Sequence, residues 1–267
     1  MEADVLEQWW GSFEVPEGQE GRFEVSALQL WVRHVPGEWR LKSLVDDERQ
    51  AQPFSWSCQP VDSSAAPSEA SLLRLVTRAN DDRVFVRPAL ADRAIVVHTE
   101  TPMLLLPNQS VELFMGLPLW VVVSQTENGE PLLDLPIWRP SDTWFGPPTQ
   151  EGELCYAGRT SARLNMADMP VRSNLAWTVI KLRNTGKRAL PFERLRVPGT
   201  SLGLYAAQNG WLWTETVHID KRGAAFQTEA RLGEPPREVA GPLERVSRSR
   251  AELSGTPLAR ALRVLVG

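Results

Sequence analysis

The sequence predicts a mainly β protein: two packed antiparallel β-sandwich units of immunoglobulin-like type, followed by a short C-terminal helix. Three observations lead there. Short segments of alternating apolar and polar residues recur along most of the 267 residues, as half-buried strands require. Tight-turn signals separate them, with Pro36-Gly37, Asn128-Gly129 and Asn184-Thr185-Gly186 the clearest. Helical patterns do not intervene between the strands, which argues against a parallel α/β fold. The expected divisions are a first sandwich over 1–138, a junction block over 139–155, a second sandwich over 156–235, and a linker with a basic amphipathic tail over 236–267.

In chain order, Gly21–Ser26 is a short alternating strand. Leu28–Val35 and Glu38–Ser43 flank Pro36-Gly37, where proline presets φ and glycine supplies the positive φ of a type II turn. In the second of these strands Trp39 and Leu41 alternate with Glu38, Arg40 and Lys42, giving one buried and one wet face. Asp46–Ser71 is rich in Ser, Ala, Pro, Gln and acids and is expected to form a long surface loop. Strands follow at Leu72–Arg78, Val84–Arg87, Ala94–His98, Val111–Met115 and Leu119–Gln125. Asn128-Gly129 then predicts a hairpin to Leu132–Ile137, with Pro136 marking its end or an edge. In the second half, Trp177–Arg183 and Leu190–Val197 flank the Asn184-Thr185-Gly186 turn, a succession common in immunoglobulin-like sandwiches. Ser201–Ala207, Trp211–Ile219 and Phe226–Leu232 complete the set.

The C-terminus differs. Thr256-Pro257 reads as an N-cap with proline at the first helical position. Leu258, Ala261, Leu262 and Leu265 share one helix face, flanked by Arg260 and Arg263. From Gly241 onward five arginines oppose two glutamates, a local charge of +3 (5 − 2) on a chain of net charge −4. Ten or so residues form only a marginal helix alone. This tail is therefore expected to dock, either on its own sandwich or on a partner through Leu258, Leu262, Leu265, Arg260 and Arg263.

Composition excludes several classes. Two cysteines and three histidines make neither a disulfide scaffold nor a paired metal motif, so no metal and no cofactor is expected. Phosphate-binding glycine motifs are missing. The acidic balance removes a bulk pull toward nucleic acid, and Arg245–Arg250 lacks the aromatics of a nucleic-acid platform. The acidic N-terminus is no signal peptide. The apolar run Leu117–Val123 falls short of the roughly 18 residues that a membrane-spanning helix needs. A cytoplasmic protein with free thiols is the expectation.

The nonperiodic block from Arg139 to Arg163 is the candidate site. Such loops on a rigid β scaffold are where binding residues gather. Trp144 and Tyr156 could stack on a flat ligand, while Arg139, Arg159 and Arg163 could fork onto a carboxylate or phosphate. Asp142 and Glu153 offer two carboxylates, although sequence spacing does not bring them together. The competing reading is an interdomain seam, plugged by Trp138, Trp144 and Phe145, with the arginines paired to Asp142, Glu151 and Glu153. Cys155 reads as a buried strand residue rather than a nucleophile.

Several segments together resemble an uncharacterised prokaryotic family. They are Trp9-Trp10-Gly11-Ser12-Phe13, Leu28-Gln29-Leu30-Trp31-Val32, Pro36-Gly37-Glu38-Trp39-Arg40 and Pro118-Leu119-Trp120-Val121. The most specific are Trp138-Arg139-Pro140-Ser141-Asp142-Thr143-Trp144-Phe145-Gly146 and Gly152-Glu153-Leu154-Cys155-Tyr156. The family is the one carrying domain of unknown function 432. The resemblance spans residues 9 to 220 and finds no counterpart for the loop 46–71 or the region after 233. It implies no activity and so carries over no catalytic residue. The family's genes neighbour those of small-conductance mechanosensitive channels. That implies an accessory role at such a channel; with no catalytic constellation in the sequence, the expectation is a non-enzymatic protein whose partner is a channel. The alternative is a small polar-ligand binding protein or hydrolase using residues 139–163.

Overall fold

A computed structural model describes residues 5–61, 66–76, 81–146, 152–221 and 228–251. Its strands, in chain order, are β1 (Gly11–Glu14), β2 (Gln19–Val25), β3 (Leu28–Val35), β4 (Glu38–Val45), β5 (Ser55–Pro60), β6 (Ser71–Val76), β7 (Arg83–Leu90), β8 (Ile95–Leu105), β9 (Ser110–Ser124) and β10 (Leu133–Pro136). There follow β11 (Asp142–Phe145), β12 (Glu153–Ala157), β13 (Leu175–Asn184), β14 (Leu190–Val197), β15 (Leu204–Ala207), β16 (Leu212–Trp213), β17 (Val217–Lys221), β18 (Thr228–Leu232) and β19 (Leu243–Ser247). The protein is mainly β, as the alternation predicts.

The strands make three sheets. One has five strands in the order β5-β2-β3-β4-β6, one has four in the order β11-β12-β8-β14, and one has ten, built around β9. The Pro36-Gly37 turn joins β3 to β4 as expected: Val35 pairs with Glu38, and Gly37 has φ +75°. Asn128-Gly129 lies in the connection that returns β9 to β10, where Leu133 pairs with Val123.

Several expectations are corrected. The two predicted strands Val111–Met115 and Leu119–Gln125 are one strand, β9. Its first half pairs with β13, and its second half lies between β7 and β10. Pro118, between the two predicted segments, faces Leu175 at the end of the β13 ladder. A missing N–H is tolerated where one neighbouring strand gives way to the next. The expected loop Asp46–Ser71 contains β5, which pairs with β2 along its length. The segments around Asn184-Thr185-Gly186 are strands, but they do not pair with each other: β13 belongs to the ten-stranded sheet and β14 to the four-stranded one. Purely antiparallel sandwiches were expected, yet β12–β8, β13–β16 and β13–β17 pair in parallel. These strands are not joined to their partners by hairpins but by longer connections, which let them arrive in the same direction. The predicted tail helix, with Leu258, Leu262, Leu265, Arg260 and Arg263, lies outside the described residues. The α-helical segment among the described residues is the single turn α1 (Arg237–Ala240).

One apolar core unites the three sheets, joining Phe23 and Leu30, Ile95 and Leu195, and Leu113 through Val123. The tryptophans assigned to strands (Trp31, Trp39, Trp120, Trp177, Trp211 and Trp213) are all buried. Trp177 stacks on Trp211 at 4.7 Å and meets Trp213 at 5.4 Å in a second, smaller cluster. No helix among the described residues is long and apolar enough to cross a membrane.

Candidate functional site

Residues 156–163 join the four-stranded sheet to the ten-stranded one. Gly158 N–H donates to Val96 O at 2.7 Å and Ala162 N–H to His98 O at 2.7 Å, fixing the segment along β8. Arg163 then exchanges two backbone hydrogen bonds of 2.8 Å with Phe114 on β9. Between these anchors the Thr160 hydroxyl donates to Gly116 O at 2.6 Å. A Cβ at Gly116 would stand 3.1 Å from Leu175 and 3.3 Å from Thr160, so a bare backbone is what lets the loop settle on the middle of β9.

A second wall descends on the same point. Leu119 N–H donates to Asn174 O at 3.0 Å, and Trp9 Nε1–H donates to Ser173 O at 3.0 Å, holding residues 173–174 ahead of β13. Gln50, which follows β4, closes a third side. Its carbonyl accepts from the Ser26 hydroxyl at 2.7 Å.

Between the walls lies a cleft of about 170 Å³, lined by Arg159, Thr160, Ser161, Arg163, Arg172 and Asn174, with Trp138 and Gly116 behind them. The lining contains three guanidinium groups and no carboxylate, histidine or cysteine. Arg159 lies 3.4 Å from the centre of the Trp138 ring, a cation–π contact that holds a planar cation without cancelling its charge. Arg163 pairs with Glu100, which does not line the cleft. Two buried polar atoms of the lining have no hydrogen-bond partner among the described residues: Nε of Arg163 and Oδ1 of Asn174. Atoms of that kind are normally satisfied by water or a ligand.

Of the residues singled out from the sequence, Arg159 and Arg163 meet in this cleft. Arg139, Asp142, Trp144, Glu153 and Tyr156 do not line it. Arg139–Gly152, read as nonperiodic, includes β11, which pairs with β12 from Asp142↔Tyr156 to Phe145↔Glu153. Asp142 and Glu153 thus stand at opposite ends of one ladder, each engaged by different arginines. Asp142 is 3.3 Å from Arg93 and 4.0 Å from Arg139. Glu153 accepts two N–H bonds, of 2.8 and 2.7 Å, from Arg196 on β14.

Tyr156 is buried, its ring 5.6 Å from Trp120, and its hydroxyl donates to Asp92 at 3.0 Å. Burial first, and then that hydrogen bond, pushes the Tyr156 hydroxyl up from its ordinary value. Trp144 is half exposed and covers Gly152. Cys155 is buried, and burial followed by the Glu153 charge pushes its thiol up, away from the reactive thiolate.

Sequence reasoning missed Arg172, Asn174 and Gln50. A signal existed for the first two. Pro170-Val171-Arg172-Ser173-Asn174 is a nonperiodic polar stretch just before a clean strand, the same kind of feature that drew attention to Arg139–Arg163. Gln50 carried none.

The histidines are dispersed. His34 is buried flat against Trp39 at 4.1 Å, with Nδ1 3.1 Å from Asp82. No group of three or more His, Cys, Asp or Glu able to hold a metal occurs among the described residues.

The family model described as "Protein of unknown function (DUF432)" matches residues 9–264. The chain belongs to the DUF432 family. In this DUF432 protein the match reaches further than the motifs did, running through the loop 46–71 and the region after 233. Arg172 and Asn174 fall within it as well as Arg159 and Arg163. No curated protein and no solved structure matches the chain.

Proposed function

We propose that this DUF432 protein is a non-enzymatic binding protein for a small oxyanion, a phosphate or carboxylate, held in the cleft between residues 159–163 and 172–174. The observation that carries this reading is the lining: Arg159, Arg163 and Arg172 converge without a carboxylate among them. Guanidinium forks match the geometry of oxyanions. The buried Arg163 Nε–H offers one further donor, and the Ser161 hydroxyl another. Calorimetric titration with inorganic phosphate at low salt tests it. Saturable binding is expected, and Arg172→Ala should weaken it about tenfold, the usual worth of one charged hydrogen bond. Arg139→Ala, outside the cleft, should leave it unchanged. No saturable heat, or equal losses in both variants, would refute the reading.

A second reading, association with a protein partner, is favoured by β6. This strand ends the five-stranded sheet, and its Leu72, Leu73 and Val76 are exposed. Edge strands with exposed apolar side chains invite pairing with another chain. A membrane channel is the partner proposed on the family's gene neighbourhood, with the protein on the cytoplasmic side. The immunoglobulin-like assignment belongs with these proposals. It is supported by the crossing from β13 in one sheet to β14 in another, as sandwiches of that type require.

A further inference from the structure

The arginine cleft shares a wall with a second, larger concavity. Beyond Gln50 and Arg172, which line both, runs a groove of about 610 Å³. One bank is the stretch after β4. Asp46 caps a 3₁₀ turn by accepting from Glu48 N–H at 3.0 Å. The chain then passes Ala51 and Pro53 to Phe54, whose ring meets Phe23 at 5.3 Å. The other bank is the N-terminal segment, held by Leu6 N–H donating to Asn209 O at 2.9 Å. Val171, which with Leu6 packs on the tryptophan cluster, lines the groove beside Arg172. Val5 also lines it and is 77% exposed.

Just over half of the groove's lining is apolar, Glu7 is its one carboxylate, and its one guanidinium belongs equally to the cleft. Resting on the oxyanion reading above, we infer that the ligand is an amphiphile. Its phosphate or carboxylate enters the arginine cleft, and its apolar body leaves past Gln50 and Arg172 to lie along Val5, Phe54 and Val171. A free organic acid and the headgroup end of an anionic lipid share this chemistry.

Titration with three probes separates the terms: inorganic phosphate, octyl phosphate below its micelle concentration, and octyl glucoside. Octyl phosphate should bind at least about tenfold tighter than inorganic phosphate, because each methylene moved out of water contributes roughly fourfold. Octyl glucoside should bind far more weakly than octyl phosphate. The double variant Val5→Ser/Val171→Ser should remove most of the octyl advantage and leave inorganic phosphate within about twofold. Vesicles containing phosphatidic acid identify the source. Binding that the same double variant weakens marks a lipid, and binding confined to monomeric octyl phosphate marks a free amphiphile. Equal affinity for phosphate and octyl phosphate overturns this inference and leaves the oxyanion reading intact. Binding of octyl glucoside as tight as that of octyl phosphate also overturns it. Failure of both phosphates to bind overturns the oxyanion reading itself.

Discussion

Asn184, at the end of β13, ties two sheets together with one buried side chain. Its Nδ2 donates to Leu105 O on β8 at 2.9 Å and to Arg188 O at 2.8 Å, while its Oδ1 accepts from Gly186 N–H at 3.0 Å. The Asn-x-Gly turn is therefore the fastening of a crossover between sheets. Asn184→Ala leaves the Leu105 carbonyl buried without that donor, and a buried unsatisfied group costs about 1–3 kcal/mol. The expected loss is about 2 kcal/mol, read from urea unfolding midpoints. The neighbouring exposed variant Lys187→Ala should change little. The turn was legible in the sequence because Asn and Gly are turn formers and an Asn side chain bonds the backbone two residues on. Its role was not, because a turn signal does not say which sheet the next strand joins.

At the scale of elements, periodicity predicted β3 and β14 to the residue, since each has a clear turn or proline at its ends. It failed where tertiary neighbours decide. β9 is continuous because Pro118 falls where its partners change, which no local pattern reveals. The candidate site divides in the same way. Arg159 and Arg163 stood out as cations in a nonperiodic block. The other wall lies across the β9–β13 pairing, which the sequence could not reveal. β6 is the element on which the proposed protein association rests. Leu72 is 54% and Val76 89% exposed, whereas Leu75 packs on the core. Leu72→Lys/Val76→Lys should leave the thermal midpoint nearly unchanged, because surface changes seldom exceed about 0.5 kcal/mol. On the proposed partner reading it should abolish capture of the channel. Unaltered capture would remove β6 from the interaction.

At the scale of the molecule, charge placement around β17 sets a pH limit on the fold. His218 pairs across the ladder with Lys181 on β13 and Arg231 on β18. Burial, followed by these two cations, holds the imidazole below its ordinary value of 6.5, against a smaller opposing effect of Asp220. The unfolded chain therefore takes up the proton first as pH falls. Stability should be full above about pH 6.5 and decline below it, until the folded imidazole titrates as well. His218→Gln should flatten that decline in urea midpoints measured from pH 7.5 down to about pH 5. A wild-type midpoint that held constant over the same interval would contradict the placement of these charges.

The three sheets share one core, and the arginine cleft lies beside Gly116 and Pro118 of β9. The account stands or falls on what that cleft holds. The most direct measurement is the position of a bound oxyanion in crystals soaked with tungstate. The account predicts an anomalous peak within hydrogen-bond reach of Arg163 and Arg172, lost in Arg172→Ala. An empty cleft, with tungstate only at outlying arginines such as Arg139, would contradict it.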